Sequence, residues 1–256
     1  MNRITTIFNK NKKILSIYFT AGFPNLNDTV SIIETLADNG VDIIEIGIPF
    51  SDPLADGPTI QASSKMALDN GMTVSLLFEQ LKNIRQKVSI PLVMMGYFNP
   101  IMQYGVENFC QKCAEIGIDG LIIPDLPLDI YTEKYKTLFE ANGLTNIFLI
   151  TPQTSEKRIK EIDSITKGFI YMVSSAGVTG SRQDFGNEQL TYFKRVSTLD
   201  LKSPLVVGFG ISNAETFNQA TLYTDGAIIG SAFIKFIEAN PISEIKTFIS
   251  SINNKS

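Results

Sequence analysis

Histidine is absent from this 256-residue chain. Proton transfer near neutral pH must therefore rest on carboxylates, tyrosine, lysine or cysteine. Without imidazole, a zinc-dependent aldol cleavage loses its usual ligands. Isomerisation that relies on a neutral histidine is excluded with it. Cysteine is nearly absent too: Cys110 and Cys113 are the only pair, in "VENFCQKCAEIGIDG". Their C-x-x-C spacing fits a redox pair or half a metal site. No further soft ligand exists and the segment is helix-patterned, so both are expected as buried helix residues. Lys and Arg form no block and the net charge is -4, which offers nucleic acid no electrostatic footprint. No apolar run approaches the roughly 20 residues that span a bilayer. The opening "MNRITTIFNKNKK" lacks an apolar signal core. The expectation is a soluble, cytoplasmic protein, or a plastid one, since the Ile-, Asn- and Lys-rich composition suits an A/T-rich genome of either kind.

What is present is a 44% hydrophobic chain with both charge signs dispersed, as in globular proteins. Short β-rich runs recur: "ILSIYFTAG" from Ile14, "DIIEIGIPF" from Asp42, "PLVMMGY" from Pro91 and "GLIIPDLP" from Gly120. The series continues with "NIFLITP" from Asn146, "GFIYMVSSAG" from Gly168, "PLVVGFGIS" from Pro204 and "GAIIGSA" from Gly226. Amphipathic stretches such as "NDTVSIIETLADNG" separate them, with a polar start and a terminal glycine. Near-continuous apolar strands imply burial on both faces, hence a parallel sheet with helical crossovers. Eight such units in about 250 residues match a (β/α)8 barrel, the TIM-barrel fold, in number and length. A doubly wound open sheet rarely holds eight strands at such even spacing. No linker divides the chain, so a single domain is expected. Asn2–Asn11 should form a short helix covering the bottom of the barrel, and Ser231–Ile252 the last helices.

Active sites in this fold lie at the carboxyl ends of the strands. There the second run leads into "EIGIPFSDPLADGP", a loop carrying Pro49, Pro53 and Pro58. Glu45 sits inside an apolar strand, where an unpaired charge is costly and packing gives no reason for it. Asp56 faces the same mouth, although an acid before Gly-Pro can also be a plain turn former. Glycines gather after the sixth strand (Gly177, Gly180, Gly186), the seventh (Gly208 and Gly210 around Phe209) and the eighth (Gly230-Ser231). The last two places are where barrels commonly bind phosphate, through backbone N–H groups and a helix N-terminus. Lys167 and Lys202 precede strands, at the wrong end for a Schiff base, and Lys65 lies well past the second loop. Carboxylate acid–base chemistry remains, on a substrate that supplies its own electron sink.

The stretch "EIGIPFSDPLADGPTIQ", Glu45–Gln61, closely resembles the signature of the tryptophan synthase alpha chain family. "MGYFNPI", "IIPDLP", "SSAGVTG", "GFGIS" and "GSAFIK" follow in the family's order, so the resemblance covers essentially the whole chain. It implies retro-aldol cleavage of indole-3-glycerol phosphate to indole and glyceraldehyde 3-phosphate. By motif position, Glu45 would be the general acid–base, and Asp56 would accept a hydrogen bond from the indole N–H. Tyr171 would lie near the glycerol and Phe209 on the indole, with Tyr18, Tyr97 and Ile122 completing the apolar wall. Gly180, Gly210, Gly230 and Ser231 would cradle the phosphate, and Thr179 would bond Asp56 on loop closure. Asp125 would support the second loop. The resemblance further implies no cofactor on this chain and a beta chain partner in an α2β2 tetramer. That partner would bind pyridoxal phosphate and dock on the exposed prolines and Asp52-Pro53 of the second loop. Two rival readings are another phosphosugar lyase or isomerase, and a non-catalytic activator of a beta chain.

Overall fold

Each apolar run yields one strand: β1 Ile14–Thr20, β2 Ile43–Gly47, β3 Leu92–Met95, β4 Gly120–Ile122, β5 Thr145–Ile150, β6 Ile170–Val173, β7 Leu205–Gly208 and β8 Gly226–Ile229. Every neighbouring pair is parallel, the strands follow chain order, and β8 returns to β1, so the sheet closes on itself. The computed structural model describes residues 2–10, 12–174 and 185–253. The architecture is a (β/α)8 barrel, as the run count and spacing imply.

Alternation along each strand divides the apolar side chains between two cores. Leu15, Ile17 and Phe19 of β1, Ile44 and Ile46 of β2 and Ile170 and Met172 of β6 belong to the large core that includes the surrounding helices. Ile14, Ile43, Val93, Ile122, Ile147, Val206 and Ile228 belong to the smaller one inside the barrel. The short helix Arg3–Ile7 contributes Ile4 and Ile7 to that inner core, which closes the bottom as expected. Asn2 caps this helix by accepting from the Ile4 amide.

The bottom rim is built from acids that answer strand-end amides. Asp42 accepts from the Leu15 N–H at 3.1 Å, Asp119 from Leu92 at 2.9 Å and Asp225 from Leu205 at 2.8 Å. Each precedes or opens one strand and satisfies the start of the strand before it, where a buried amide would otherwise lack a partner. Asp119 also holds Arg3 at 3.0 Å and Arg85 at 2.5 Å, which ties the N-terminal helix to the rim.

Cys110 and Cys113 lie fully buried on the helix Val106–Ile116 as free thiols, with burial pushing both thiols up. They serve packing, as their setting in the sequence implies. Among the described residues, no helix is long and apolar enough to cross a membrane. Bottom acids and a plugging helix leave the opposite, carboxyl-end rim as the open face.

Candidate active site

On β1 the inward row runs Ser16, Tyr18, Thr20, and on β2 it runs Ile43, Glu45, Gly47. Tyr18 and Glu45 are register partners on adjacent strands. Both tyrosine rings of the mouth lie across a neighbouring glycine. A Cβ on Gly47 would sit 2.2 Å from the Tyr18 Oη, and one on Gly208 would sit 2.0 Å from the Tyr171 Oη. These glycines are therefore gaps that the rings fill. Gly208→Ala is expected to displace Tyr171 and to cost about 2 kcal/mol, the range of an overpacked core. Urea unfolding at fixed pH reads the cost, and an unchanged midpoint would show that Tyr171 can yield freely.

Glu45 is wholly buried. Burial pushes its carboxyl up to about 7, and the Ser16 hydroxyl, donating to Oε1 at 2.8 Å, offsets part of that. Oε2 has no hydrogen-bond partner among the described residues. A carboxyl so placed stays protonated into the neutral range and can give its proton there. Asp56, on the loop after β2, is raised to about 6 by its burial, with the Tyr97 hydroxyl opposing. Tyr97 Oη accepts from the Ala55 N–H at 3.0 Å and stands 3.3 Å from Asp56 Oδ2. Burial raises the Tyr18 and Tyr171 hydroxyls, and the negative charges of both Glu45 and Asp56 raise them further. The two acids thus act on one pair of rings.

Above the rings opens a cavity of about 630 Å³, counting space continuous with solvent. Tyr18, Asp56, Tyr171, Phe209, Gly210, Gly230 and Ser231 all line it. Phe209 and Gly210 both adopt left-handed backbone, at φ 69° and 78°. For phenylalanine that conformation costs roughly 1–3 kcal/mol and persists only where the surroundings hold it. Ser174 donates to the Phe209 carbonyl at 2.8 Å, and the ring meets Tyr171 edge-on at 6.2 Å between centroids. Gly230 precedes the helix Ser231–Ala239, whose first residue lines the cavity. Glycines and a helix start on adjacent strands thus line the same side of the mouth, a type of arrangement able to take an anion.

Several expectations are relocated. Ile122 is fully buried inside the barrel and does not line the cavity. Tyr97 anchors the second loop through its hydroxyl and lines a smaller neighbouring hollow with Tyr18 and Asp56. Asp125 accepts from the Phe98 N–H at 2.9 Å, so it steadies the turn after β3. Of the second loop's prolines, Pro49 and Pro53 are buried while Pro58 is exposed, and the large apolar side chain the loop presents to solvent is Leu54, at 86%. Thr179 and Gly180 lie outside the described residues. Cavity residues that the sequence reading left out include Met95, Ile211, Ser212 and Ile228. Ser212 ends the quoted "GFGIS" and Met95 ends β3, so strand-end position was their available signal. Among the described residues no lysine lines the cavity, and Lys65 and Lys167 pair on the surface with Asp69 and Glu140. Among the described residues, no group of three or more Cys, Asp or Glu side chains is arranged to hold a metal ion.

A closed barrel with acids and a glycine cradle at its carboxyl-end mouth has the layout of (β/α)8 enzymes. Within that class, the family model "Tryptophan synthase alpha chain" matches residues 4–255, and the chain belongs to this family. It is 69% identical over 252 residues to the tryptophan synthase alpha chain of Flavobacterium psychrophilum, covering 98% of this chain and all of that one. The alpha chain of Flavobacterium johnsoniae is 68% identical over the same shares of both chains. Among solved structures, tryptophan synthase subunit alpha from Legionella pneumophila superposes with a TM-score of 0.89 at 35% identity, over 98% of this chain and 97% of that one.

Proposed function

We propose that this chain cleaves indole-3-glycerol phosphate to indole and glyceraldehyde 3-phosphate, with Glu45 as the general acid–base. The observation that carries the assignment is a wholly buried carboxyl, held protonated into the neutral range, beneath a cavity shared by Asp56 and the glycine cradle. Glu45 gives its proton to C3 of the indole ring, and the ring becomes an indoleninium cation. A base then takes the proton of the glycerol hydroxyl next to the ring, and those electrons form the aldehyde C=O as the C–C bond breaks. The electron pair of that bond returns to the ring and restores indole. The glycerol proton goes back to the Glu45 carboxylate, so the step balances without water, metal or cofactor. Asp56 accepts from the indole N–H and stabilises the ring cation, while Tyr171 and Phe209 hold the ring. Gly210, Gly230 and Ser231 take the phosphate.

The test is to incubate the purified chain with indole-3-glycerol phosphate and follow both products. Indole and glyceraldehyde 3-phosphate in equal amounts are expected; turnover of small sugar phosphates in place of the indolyl substrate would favour another phosphosugar lyase. Asp56→Asn keeps shape and removes the charge that faces the ring N–H. A charged hydrogen bond is worth about 1.5–3 kcal/mol, so kcat should fall by roughly 10- to 100-fold. An Asp56→Asn enzyme with full kcat would reduce Asp56 to a turn former.

The partner is a beta chain in an α2β2 tetramer, and pyridoxal phosphate belongs to that partner. Exposed Leu54 and Met102, on the second loop and the helix after β3, offer apolar contacts beside the mouth. The named relatives are bacterial, which favours a bacterial cytosol over a plastid.

A further inference from the structure

Ser16 is the inward-facing residue of β1 two positions before Tyr18. It is the polar member of an otherwise apolar lower layer, with Ile43 and Ile228 as its register partners on β2 and β8. Its side chain is wholly buried, and its hydrogen bond runs to Glu45 Oε1 at 2.8 Å. The other oxygen, Oε2, is buried and unpartnered among the described residues. We propose that Ser16 is a positioning residue for this acid: its hydroxyl holds Oε1 and leaves Oε2 as the oxygen that carries the working proton. This rests on the general acid–base role given to Glu45 above.

The reasoning is a count of donors and acceptors. A serine hydroxyl has one proton to donate, and the side chains at its register positions on β2 and β8, Ile43 and Ile228, accept nothing. If the carboxyl proton sits on Oε2, Oε1 is the carbonyl-like oxygen and still accepts from Ser16, so every proton but the working one is satisfied. If the proton sits on Oε1 and points at the serine oxygen, the serine O–H becomes an orphan donor in an apolar layer. An orphaned buried donor costs about 1–3 kcal/mol, so the first arrangement is favoured roughly 5- to 150-fold. Ser16 therefore sorts two chemically equal oxygens into an anchor and a proton carrier. It also favours the carboxylate over the acid, because a hydrogen bond from a donor strengthens when its acceptor becomes charged. The proton thereby remains releasable despite complete burial. The other titratable groups facing this carboxyl are Tyr18 from β1 and Tyr171 from β6, with Asp56 acting on the same rings from the second loop. The adjacent strand β3 presents Val93, which does not titrate. Ser16 is thus the tunable donor in the group.

The experiment compares full-length wild type, Ser16→Ala and Ser16→Thr. Carbon-13 NMR of protein labelled at the glutamate carboxyl carbons follows the Glu45 resonance, assigned by its loss in Glu45→Gln. In Ser16→Ala the Glu45 midpoint is expected to rise by about one pH unit, the size of a lost hydrogen bond to a charged group. The alkaline limb of kcat/KM for indole release, where Glu45 loses the proton it must give, should move up with it. The kcat at pH 7 should nevertheless fall about 10-fold, because the proton is no longer held on Oε2 and the acid is weaker, while KM changes less than twofold. Ser16→Thr keeps the hydroxyl and should restore the wild-type midpoint even if its added methyl lowers stability. A Ser16→Ala enzyme with an unmoved midpoint, or with kcat unchanged or raised, overturns the proposal, because the hydroxyl would then be inert or hold a resting rotamer. Glu45→Gln separates this from the parent reading: if that variant still releases indole, the role of Glu45 fails whatever Ser16 does. If it is dead while Ser16→Ala behaves as wild type, only the role of Ser16 fails.

Discussion

Glu45→Gln is expected to lower kcat for indole release by about 10²- to 10⁴-fold, the span of general acid–base catalysis, with KM nearly unchanged. Glutamine matches glutamate in shape and keeps an amide oxygen that can accept from Ser16, so the barrel interior stays filled. What it loses is a proton to deliver to ring carbon and a site to receive the glycerol proton. Losing both raises the barrier by roughly 3–5 kcal/mol. The cavity wall does not include Glu45, so substrate contacts made by Tyr18, Phe209 and the glycine cradle persist, and binding should survive. That split between kcat and KM also separates the proposal from a chain that only activates a beta partner. A mere activator would release no indole in either form, and its stimulation of the beta reaction would be equal in both. Equal indole release by wild type and Glu45→Gln would remove this acid from the mechanism.

The strands were the most legible part of the sequence, because burial on both faces leaves runs that no amphipathic helix imitates. All the quoted runs became strands, although β4 shortened to Gly120–Ile122 before the prolines at 124 and 127. Glu45 stood out for the opposite reason, as a charge inside such a run. Depth along the barrel was harder to read. The resemblance places Ile122 on the wall of the site, and motif position does not tell whether an inward residue meets the cavity or the packed layer below, where Ile122 lies. Tyr97 is more than apolar wall, because its hydroxyl partners, the Ala55 amide and Asp56, exist only once the second loop has folded over it. Pro49 and Pro53 likewise looked exposed as loop residues, yet the loop turns them inward and presents Leu54. Ser16 passed unnoticed, since a small polar residue in an apolar strand gives little signal until its register partner shows that it shares the inward phase of Glu45.

The same acid should make stability fall as the solution becomes more alkaline. Glu45 has an ordinary value of 4.5, taken as that of the unfolded chain, and its folded value is raised to about 7 by burial. Between these, the folded protein holds a proton that the unfolded chain has lost, so folding takes up a proton and stability declines with rising pH. The contribution is fully present below 4.5 and is gone once pH has risen through about 7. Its size is on the order of 3 kcal/mol, a large part of the 5–15 kcal/mol that holds a typical domain folded. Asp56, raised from 3.8 to about 6, adds a smaller effect of the same sign, reduced by its contact with solvent. Other titrating groups act as well, so the clean quantity is the difference between wild type and Glu45→Gln measured in urea at each pH. At pH 4 the two proteins should differ little, since both carry a neutral side chain at this position. At pH 8 Glu45→Gln should be the more stable by roughly 3 kcal/mol, because wild type must then hold an unneutralised carboxylate in an apolar barrel. A difference that stays constant from pH 4 to pH 8 would show that the carboxylate is well solvated in the folded chain. The proton proposed for catalysis would then have no reason to remain at neutral pH. The opposite result would mean that the barrel carries a destabilising group at the one position where its chemistry requires an acid.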